Sequence, residues 1–402
     1  MIVVVHTLAL YSIYISMRRI ARDREGDKAM LNYNDLRPED DFKKRDYELV
    51  FPKMTQAEKA RTIDKILTLK RGLDGEIAPR RADENLLIAS WNLKEFGHTT
   101  QRLPETYFYI AEILSYFDLI CIQEIKSTLN DLQILLRLLG DDWGYLVNDI
   151  TEGSAGNSER SGYLFNKKRV QLAGLAGEIV LWDTLTATTT IKQLKRTPYI
   201  TGFTAGWKTF ALINVHLQPG DKPDDVAYRK AEVDLLLQAL AYKREHGRLW
   251  TENLIVIGDF NFYAGATKDN PAIAAINAAG FREVESLIGV DTNVTKTEAY
   301  DHFFLTRNEY FTLGQSADGK ENGGVFEPYT YVYQLGEEAV YAEYMKAHYT
   351  GSKDMNDPAN QADYFKNYWR KNQLSDHFPI WFELVIDSSD VFLERSLQSY
   401  TP

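Results

Sequence analysis

The stretch LIVIGDFN, residues 254–261, joins an apolar run to an abruptly polar end. Its first four residues are typical of a strand buried in a sheet, whereas Asp259 and Asn261 follow directly after a glycine. Three further apolar runs end in the same way, on Asn92 in LLIASWN, on Glu124 in DLICIQE and on His216 in FALINVH. The sequence therefore predicts a set of buried strands, each with a polar group at one tip.

The pattern of these runs also predicts how the strands are arranged. Continuous apolar runs, in place of strict alternation, indicate strands covered on both faces, as when two sheets pack together with helices outside them. If the strand ends lie along one edge of such a sandwich, their polar tips meet in one cleft. From residue 84 onward, short β-forming runs alternate in places with helical patterns, which favours an α/β (α+β) class.

Two C-terminal pieces carry polar groups ahead of an apolar run. Asp301 lies in EAYDHFFL, and Asp376 and His377 precede the alternating strand of LSDHFPIWFELVI. A strand that runs antiparallel to the earlier ones begins at the edge where they finish. We therefore expect Asp376 and His377 to join the same cleft.

Composition restricts the classes of function. The chain has 402 residues, of which 44% are hydrophobic and 26% charged, as in an ordinary globular protein. Its 57 acidic and 46 basic residues give a formal charge of −11, which disfavours a surface that is basic throughout but leaves room for a local basic groove. The single cysteine, Cys121, excludes an internal disulfide and a cysteine-rich zinc site, and we expect it to be a buried thiol.

A cluster of carboxylates at the strand tips requires a cation, because the negative charges would otherwise repel one another and raise each other's pKa. Amide and carboxylate oxygens without thiolates suit Mg²⁺ or Mn²⁺. Magnesium keeps open positions for phosphate oxygens, so the sequence points to phosphoryl or phosphodiester chemistry.

Six short motifs, in this order, resemble the endonuclease/exonuclease/phosphatase superfamily: WN, QE, NVH, GDFN, YDH and SDH. The resemblance covers residues 85–387 and implies a four-layered sandwich of two packed mixed β-sheets flanked by helices. Known members include deoxyribonuclease-I-like nucleases, apurinic-site endonucleases, sphingomyelinases and inositol-phosphate phosphatases. A single such motif is weak evidence, whereas six in the right order are a strong signal.

The resemblance also implies a role for each matching residue. Asn92 and Glu124 would be metal ligands for Mg²⁺ or Mn²⁺, with Asp376 in a supporting or second-site role. Asp259 would orient or deprotonate the attacking water, and Asn261 would hold a phosphate oxygen.

The remaining matches concern the two histidines and their neighbours. His216 and His377 would stabilise the transition state or shuttle protons. Asp301 would orient His377, and Glu159 in SERSGYLFN would partner His216. Arg196 in KRTPYI would contact phosphate, which suits the guanidinium fork.

The implied reaction is direct in-line attack of water on phosphorus, without a covalent enzyme intermediate. The leading hypothesis is an endonuclease, with nucleic acid as substrate and no obligate protein partner. The alternatives are a phosphatase or phosphodiesterase acting on a phosphoinositide or other lipid or small phosphoester, and a catalytically silent binding scaffold.

Each motif taken singly also has a purely structural interpretation. Asp259 and Asn261 are typical of a capped turn, Glu124 could cap the helix that follows it, and a histidine such as His216 is often a core residue. Arg196 could equally be a solvated surface charge. Jointly, these interpretations would require several independent coincidences in one order.

The N-terminal part is predicted to lie outside the catalytic domain. Residues 1–17 are apolar and suit either a weak membrane anchor or a misassigned start. Insertion would hold Arg18 and Arg19, and with them the whole body, in the cytoplasm, so a cytoplasmic location is expected. Residues 18–84 are predicted to form a charged arm, extended or loosely attached, followed by a helix.

That helix, in TQAEKARTIDKILTLKRGL, opens with Thr55 and Glu58 in capping-box spacing. Its apolar face is predicted to contain four residues: Ile63, Ile66, Leu67 and Leu73.

Two segments of the predicted catalytic part lie outside the six motifs. A tyrosine-rich insertion, residues 305–372, is expected near the cleft, where its aromatic rings either stack on bases or pack as ordinary core. Residues 388–402 are expected to be a tail.

Overall fold

The computed structural model describes residues 31–38, 49–97, 101–150, 158–263 and 269–400. The first six-stranded sheet contains, in spatial order, β11 (Gly323–Val325), β12 (Ile380–Val385), β1 (Asn85–Phe96), β2 (Leu119–Lys126), β4 (Glu159–Asn166) and β3 (Trp143–Val147). The second contains β5 (Gln171–Glu178), β6 (Tyr199–Ala205), β7 (Lys208–His216), β8 (Leu254–Asp259), β10 (Asp301–Leu305) and β9 (Arg282–Glu283).

The described residues also form helices. In chain order they are α1 (Gln56–Glu76), α2 (Pro104–Leu114), α3 (Asn130–Leu139), α4 (Pro223–Glu245), α5 (Asn270–Ala278), α6 (Ala342–His348), α7 (Pro358–Tyr364), α8 (Arg370–Gln373) and α9 (Ser389–Tyr400). Short 3₁₀ turns lie at Asn34–Leu36, Ala78–Arg80, Glu285–Leu287, Pro328–Thr330 and Glu338–Tyr341, and a π-turn lies at Phe365–Trp369.

The core has three apolar layers, as expected for a sandwich. Between the sheets, Phe303 and Phe382 meet with ring centroids 4.8 Å apart, and the single cysteine, Cys121, is buried there as predicted. Helices α1, α2 and α3 pack on the outer face of the first sheet, and α4 and α5 on that of the second. The predicted arrangement of two packed mixed sheets flanked by helices is confirmed.

Strand direction brings the polar tips to one edge. Strand β1 runs parallel to β2, so Asn92 lies opposite Gln123, the neighbour of Glu124. Strand β7 runs parallel to β8, and the register places His216 opposite Asp259. Because β10 is antiparallel to β8, its first residue, Asp301, also pairs with Asp259.

Helix α1 confirms the predicted start and corrects the predicted face. The Thr55 side chain accepts a bond from Glu58 N, and the Glu58 carboxylate accepts one from Thr55 N at 2.7 Å. Ile66 and Leu73 are buried as predicted, but Ile63 and Leu67 are 39% and 55% exposed. The buried stripe contains instead Thr62, Ile66, Leu69 and Leu73, which repeat at the helical spacing of three or four.

The described part of the arm is packed, which corrects the expectation of loose attachment. Leu36 is buried, and the buried Asp35 carboxylate accepts bonds from Val50 N, at 3.0 Å, and from Phe51 N. The apolar segment 1–17 lies outside the described residues. Within the described ranges, none of the helices combines the length and the apolar character that crossing a membrane requires. The domain limits drawn from the sequence stay a prediction.

Two tyrosines of the insertion serve packing. Tyr333 and Tyr341 are buried, with ring centroids 5.2 Å apart, and Tyr333 also contacts Tyr109 of α2 at 5.6 Å. The Tyr333 hydroxyl lies 2.5 Å from Thr106 Oγ1. These rings therefore dock the insertion onto α1 and α2, and they are not available for stacking on bases.

Replacing Tyr333 by alanine should lower the free energy of unfolding by about 3–5 kcal/mol, because it opens a cavity and removes a buried hydroxyl partner. Tyr368→Ala is the matched control, since that ring is 65% exposed, and a change within about 0.5 kcal/mol is expected. Chemical denaturation of both variants is the measurement. Equal stability losses would contradict the packing role.

Candidate active site at the shared sheet edge

Asp259 lies at the centre of the polar edge. Its buried carboxylate accepts Asn261 N on Oδ1 at 2.9 Å and Asn92 Nδ2 on Oδ2 at 3.0 Å. The preceding Gly258 has φ +134°, and a Cβ there would lie 2.2 Å from Val215 O. Glycine is thus required where β8 delivers its acid to the cleft.

His216 approaches Asp259 from β7. Its Nε2 lies 3.5 Å from Asp259 Oδ2, and its Nδ1 lies 3.1 Å from Glu159 Oε2. The structure therefore brings Glu159, predicted as the partner of His216, into contact with it. A carboxylate at Nδ1 fixes the ring orientation and leaves Nε2 directed at Asp259.

His377 approaches the same carboxylate from the opposite side. Its Nε2 lies 3.7 Å from Asp259 Oδ2, and its Nδ1 lies 2.8 Å from Asp301 Oδ2. Thr292 Oγ1 donates to Asp301 Oδ2 at 2.7 Å, and Ser375 Oγ accepts His377 N at 3.0 Å. The buried dyad of His377 and Asp301 is thus held from both ends.

Burial and charge shift the pKa values of these groups in different directions. Burial raises the pKa of Asp259, although His377 and His216 oppose the shift. Burial alone would lower the pKa of His377, but the Asp301 and Asp259 carboxylates raise it well above its usual value. Burial would raise the pKa of Glu159, but His216 together with Arg196 and Lys126 lowers it to about 2, so this carboxylate stays ionised.

The predicted metal ligands Asn92 and Glu124 contact each other. Glu124 Oε1 accepts Asn92 Nδ2 at 2.8 Å, and Glu124 Oε2 accepts Glu95 N at 2.9 Å. One ligand atom each of Glu124, His216 and Asp259 lies within 4.8 Å of the others. Two carboxylates this close, one of them buried, suit a bound cation that offsets their repulsion.

The Asn92 amide directs its nitrogen to the carboxylates and its oxygen to the backbone. Its Nδ2 faces the two carboxylates, and its Oδ1 accepts Lys94 N at 2.9 Å. A half-turn of the amide about its last bond exchanges the two ends and presents an oxygen to a cation. The donor set of carboxylate, amide and imidazole then fits a hard divalent ion.

Asp376, the third predicted ligand, is placed differently. Its Oδ2 accepts Lys94 Nζ at 2.7 Å. Burial would raise the pKa of Asp376, but His377 and Lys94 lower it. Among the described residues, neither group of side chains with metal-ligand spacing includes Asp376.

Arg196 lies on the other side of the site. Its Nε is 3.2 Å from Glu159 Oε2, and Lys126 Nζ is 3.2 Å from Glu159 Oε1. A polar pocket adjoins this pair, lined by Glu124, Asn148, Glu159, Arg160, Ser161, Arg196, Thr197 and His216. Arg196 is thus both a partner of Glu159 and a wall of the pocket.

Contacts join all ten predicted site residues into one assembly, with Lys94 as the link to Asp376. Asn261 belongs to it through Asp259, although its Nδ2 donates to Leu217 O at 3.2 Å. Four further residues, Lys94, Lys126, Thr292 and Ser375, escaped sequence reasoning. Ser375 lies within the SDH motif, and Lys94 and Lys126 lie two residues after the predicted metal ligands Asn92 and Glu124, which is the sequence signal that could have pointed to them.

Comparison with protein-family models gives no match. Among curated proteins, the chain is similar to deoxyribonuclease-1 of Homo sapiens, at 28% identity over 196 residues, which make up 47% of this chain and 64% of that protein. Deoxyribonuclease-1 of Sus scrofa is also 28% identical, over 182 residues, 44% of this chain and 60% of that protein. The match thus spans less than two thirds of these relatives.

Solved structures with a similar fold include D. rerio TDP2 complexed with single strand DNA product, at 14% identity and a TM-score of 0.44, over 75% of this chain and 98% of that one. The human Nocturnin catalytic domain with bound sulfate is 16% identical, with a TM-score of 0.44, over 75% of this chain and 94% of that one.

Three observations agree on the family. The two packed mixed sheets have the expected architecture, the six motifs occur in the expected order and meet at one sheet edge, and the sequence is similar to deoxyribonuclease-1 over nearly half of the chain. The chain therefore resembles the DNase-I-like endonuclease/exonuclease/phosphatase superfamily in its fold, in the order of its motifs and in its sequence.

Proposed function

We propose that the protein is a divalent-metal-dependent phosphoester hydrolase that cleaves nucleic acid as an endonuclease. One observation carries the proposal: the buried Asp259 lies between His216 and His377, and each histidine is backed by its own carboxylate. A purely structural site has no need for two such pairs around a third acid.

In the proposed reaction, Asp259 orients the attacking water and takes its proton. Its raised pKa makes it a better base than an exposed aspartate. His216 and His377 direct Nε2 to the same place and stabilise the charge that develops on the phosphate oxygens. A divalent ion held by Glu124 and Asn92 would supply Lewis-acid stabilisation of those oxygens.

The leaving oxygen also needs a proton. His377 is suited to donate it, because the Asp301 and Asp259 carboxylates outweigh burial and raise its pKa well above the usual value, which favours the protonated ring. The attack is in line, the P–O bond to the leaving group breaks, and no covalent enzyme intermediate forms. Asn261 and Arg196 are proposed to hold phosphate oxygens.

The positions of the cations support a phosphodiester substrate. Lys94 lies at β1 beside Asp376, whereas Lys126 and Arg196 lie beside Glu159 of β4. The sheet order β12-β1-β2-β4 puts the Lys94–Asp376 pair and the Arg196–Glu159 pair on opposite sides of β2, the strand that carries Glu124 and Lys126. A polynucleotide has phosphates on both sides of the cleaved bond, whereas a small phosphoester has use for cations on one side. Local positive charge at the cleft is also compatible with nucleic-acid binding by a chain whose net charge is −11.

The cytoplasmic location stays a prediction from the sequence.

The first test compares nicking of supercoiled plasmid with phosphate release from phosphoinositides, in Mg²⁺, Mn²⁺ or chelator. Plasmid nicking should require metal and fall by about 10²–10⁴-fold in Asp259→Asn, which removes the base. Asp64→Asn, on the exposed side of α1, is the matched control and should be fully active. Phosphate release without nicking would move the assignment to a lipid or small phosphoester, and inactivity in both assays would favour the scaffold.

Glu124→Gln should weaken Mn²⁺ binding by about tenfold or more, because it removes a charged ligand. Asp259→Asn should keep nearly full Mn²⁺ affinity while losing turnover. Isothermal titration calorimetry measures both, with Glu245→Gln at the exposed end of α4 as the control. Unchanged affinity in Glu124→Gln would remove Glu124 from the metal site.

Asp301→Asn should lower kcat by about 10²-fold or more at unchanged KM, since His377 loses the carboxylate that orients it. The same loss lowers the pKa of His377, so the alkaline limb of the pH–rate profile should move to lower pH. Nicking rates across pH measure the shift, and thermal melting separates it from unfolding. An unmoved alkaline limb would exclude His377 as the proton donor.

A further inference from the structure

The Lys94 ammonium contacts Asp376, the carboxylate that the sequence resemblance gives a supporting or second-site role at the metal. Its Nζ lies 2.7 Å from Asp376 Oδ2, and the two side chains are only 27% and 38% exposed. The Lys94 backbone N donates to Asn92 Oδ1, so the residue that supplies the ammonium also adjoins a predicted metal ligand. No role for Lys94 follows from the six motifs.

The backbone that presents Lys94 is unusual. Lys94 and Glu95 have φ values of +44° and +48°, and the register between β1 and β2 shifts between Asn92 and Phe96. Two consecutive residues with side chains rarely adopt this left-handed conformation, and such strain concentrates at functional sites. The same bulge directs Glu95 N to Glu124 Oε2 and brings the Lys94 ammonium to Asp376.

The charges of this pair oppose a second cation. The Lys94 ammonium already neutralises the Asp376 carboxylate, with 2.7 Å between Nζ and Oδ2. A divalent ion on Asp376 would have to displace that ammonium or lie against it, and the two positive charges would repel each other at this short distance.

We propose that Lys94 is a built-in cation that takes the place of a second divalent ion at Asp376, so that the site binds one ion, at Glu124 and Asn92. This inference rests on the proposed metal-dependent hydrolase and specifies its metal content. Asp376 is then a partner of Lys94 and not a metal ligand. Lys94 acts as a positioning residue, because it sets the charge and orientation of Asp376 beside His377.

The test is the number of Mn²⁺ ions bound by the full chain, measured by calorimetry and by electron paramagnetic resonance. Wild type, Lys94→Arg and Asp376→Asn should each bind one ion. Lys94→Met should bind two, and Lys94→Met combined with Asp376→Asn should return to one. Lys167→Met, at the exposed turn after β4, is the matched control and should bind one.

Two binding sites in wild type, or a single site in a folded Lys94→Met protein, would overturn the inference. A drop below one ion in Asp376→Asn would also overturn it, and this variant decides the matter if Lys94→Met does not fold. These failures leave the proposed function intact when metal-dependent nicking persists. Absence of both Mn²⁺ binding and nicking in wild type would instead overturn the proposed function itself.

Discussion

The constraint on which the site depends is the burial of the Asp259 carboxylate. A charge withdrawn from water must be met by hydrogen-bond donors or by cations. Asn92 Nδ2 and Asn261 N meet part of this requirement, and two histidines meet the rest. A carboxylate lies behind each histidine, and the one behind His377 raises the pKa of that ring, so one buried acid calls for two more acids around it. The paired charges of the site thus follow from the burial of one residue, Asp259, at the end of β8.

That balance requires the architecture of two packed sheets. His216 and Asp259 end neighbouring parallel strands of one sheet, and Asp301 begins the antiparallel strand beside them. Asn92 and Glu124 come from the other sheet, whose β1 and β2 are also parallel. Packing of the two inner faces therefore sets the distance between the proposed metal ligands and the proposed base, which no local sequence feature could fix.

The same distinction explains what the sequence could predict. The polar tips and the Thr55 capping box depend on neighbours within a few residues, so a linear pattern reveals them. The contact of Lys94 with Asp376 joins residues 282 positions apart, and the left-handed backbone at Lys94 involves no glycine. The exposure of Ile63 and Leu67 likewise depends on which face of α1 the rest of the chain covers. Sequence patterns marked the elements of the site, whereas its cation partners depend on tertiary packing.

The cation partners distinguish this site from a plain cluster of acids. Glu159 is held by Arg196 and Lys126, and Asp376 by Lys94, so the flanking carboxylates already have their counter-charges. Glu124 and Asp259 are close to each other. In the contacts described above, their carboxylates meet only imidazole and amide groups. We therefore expect a divalent ion to bind beside Glu124, whose carboxylate makes no ion pair with a lysine or an arginine in the contacts described above. A phosphodiester bound at the proposed metal ligands would have Lys94 on the β1 side and Arg196 on the β4 side.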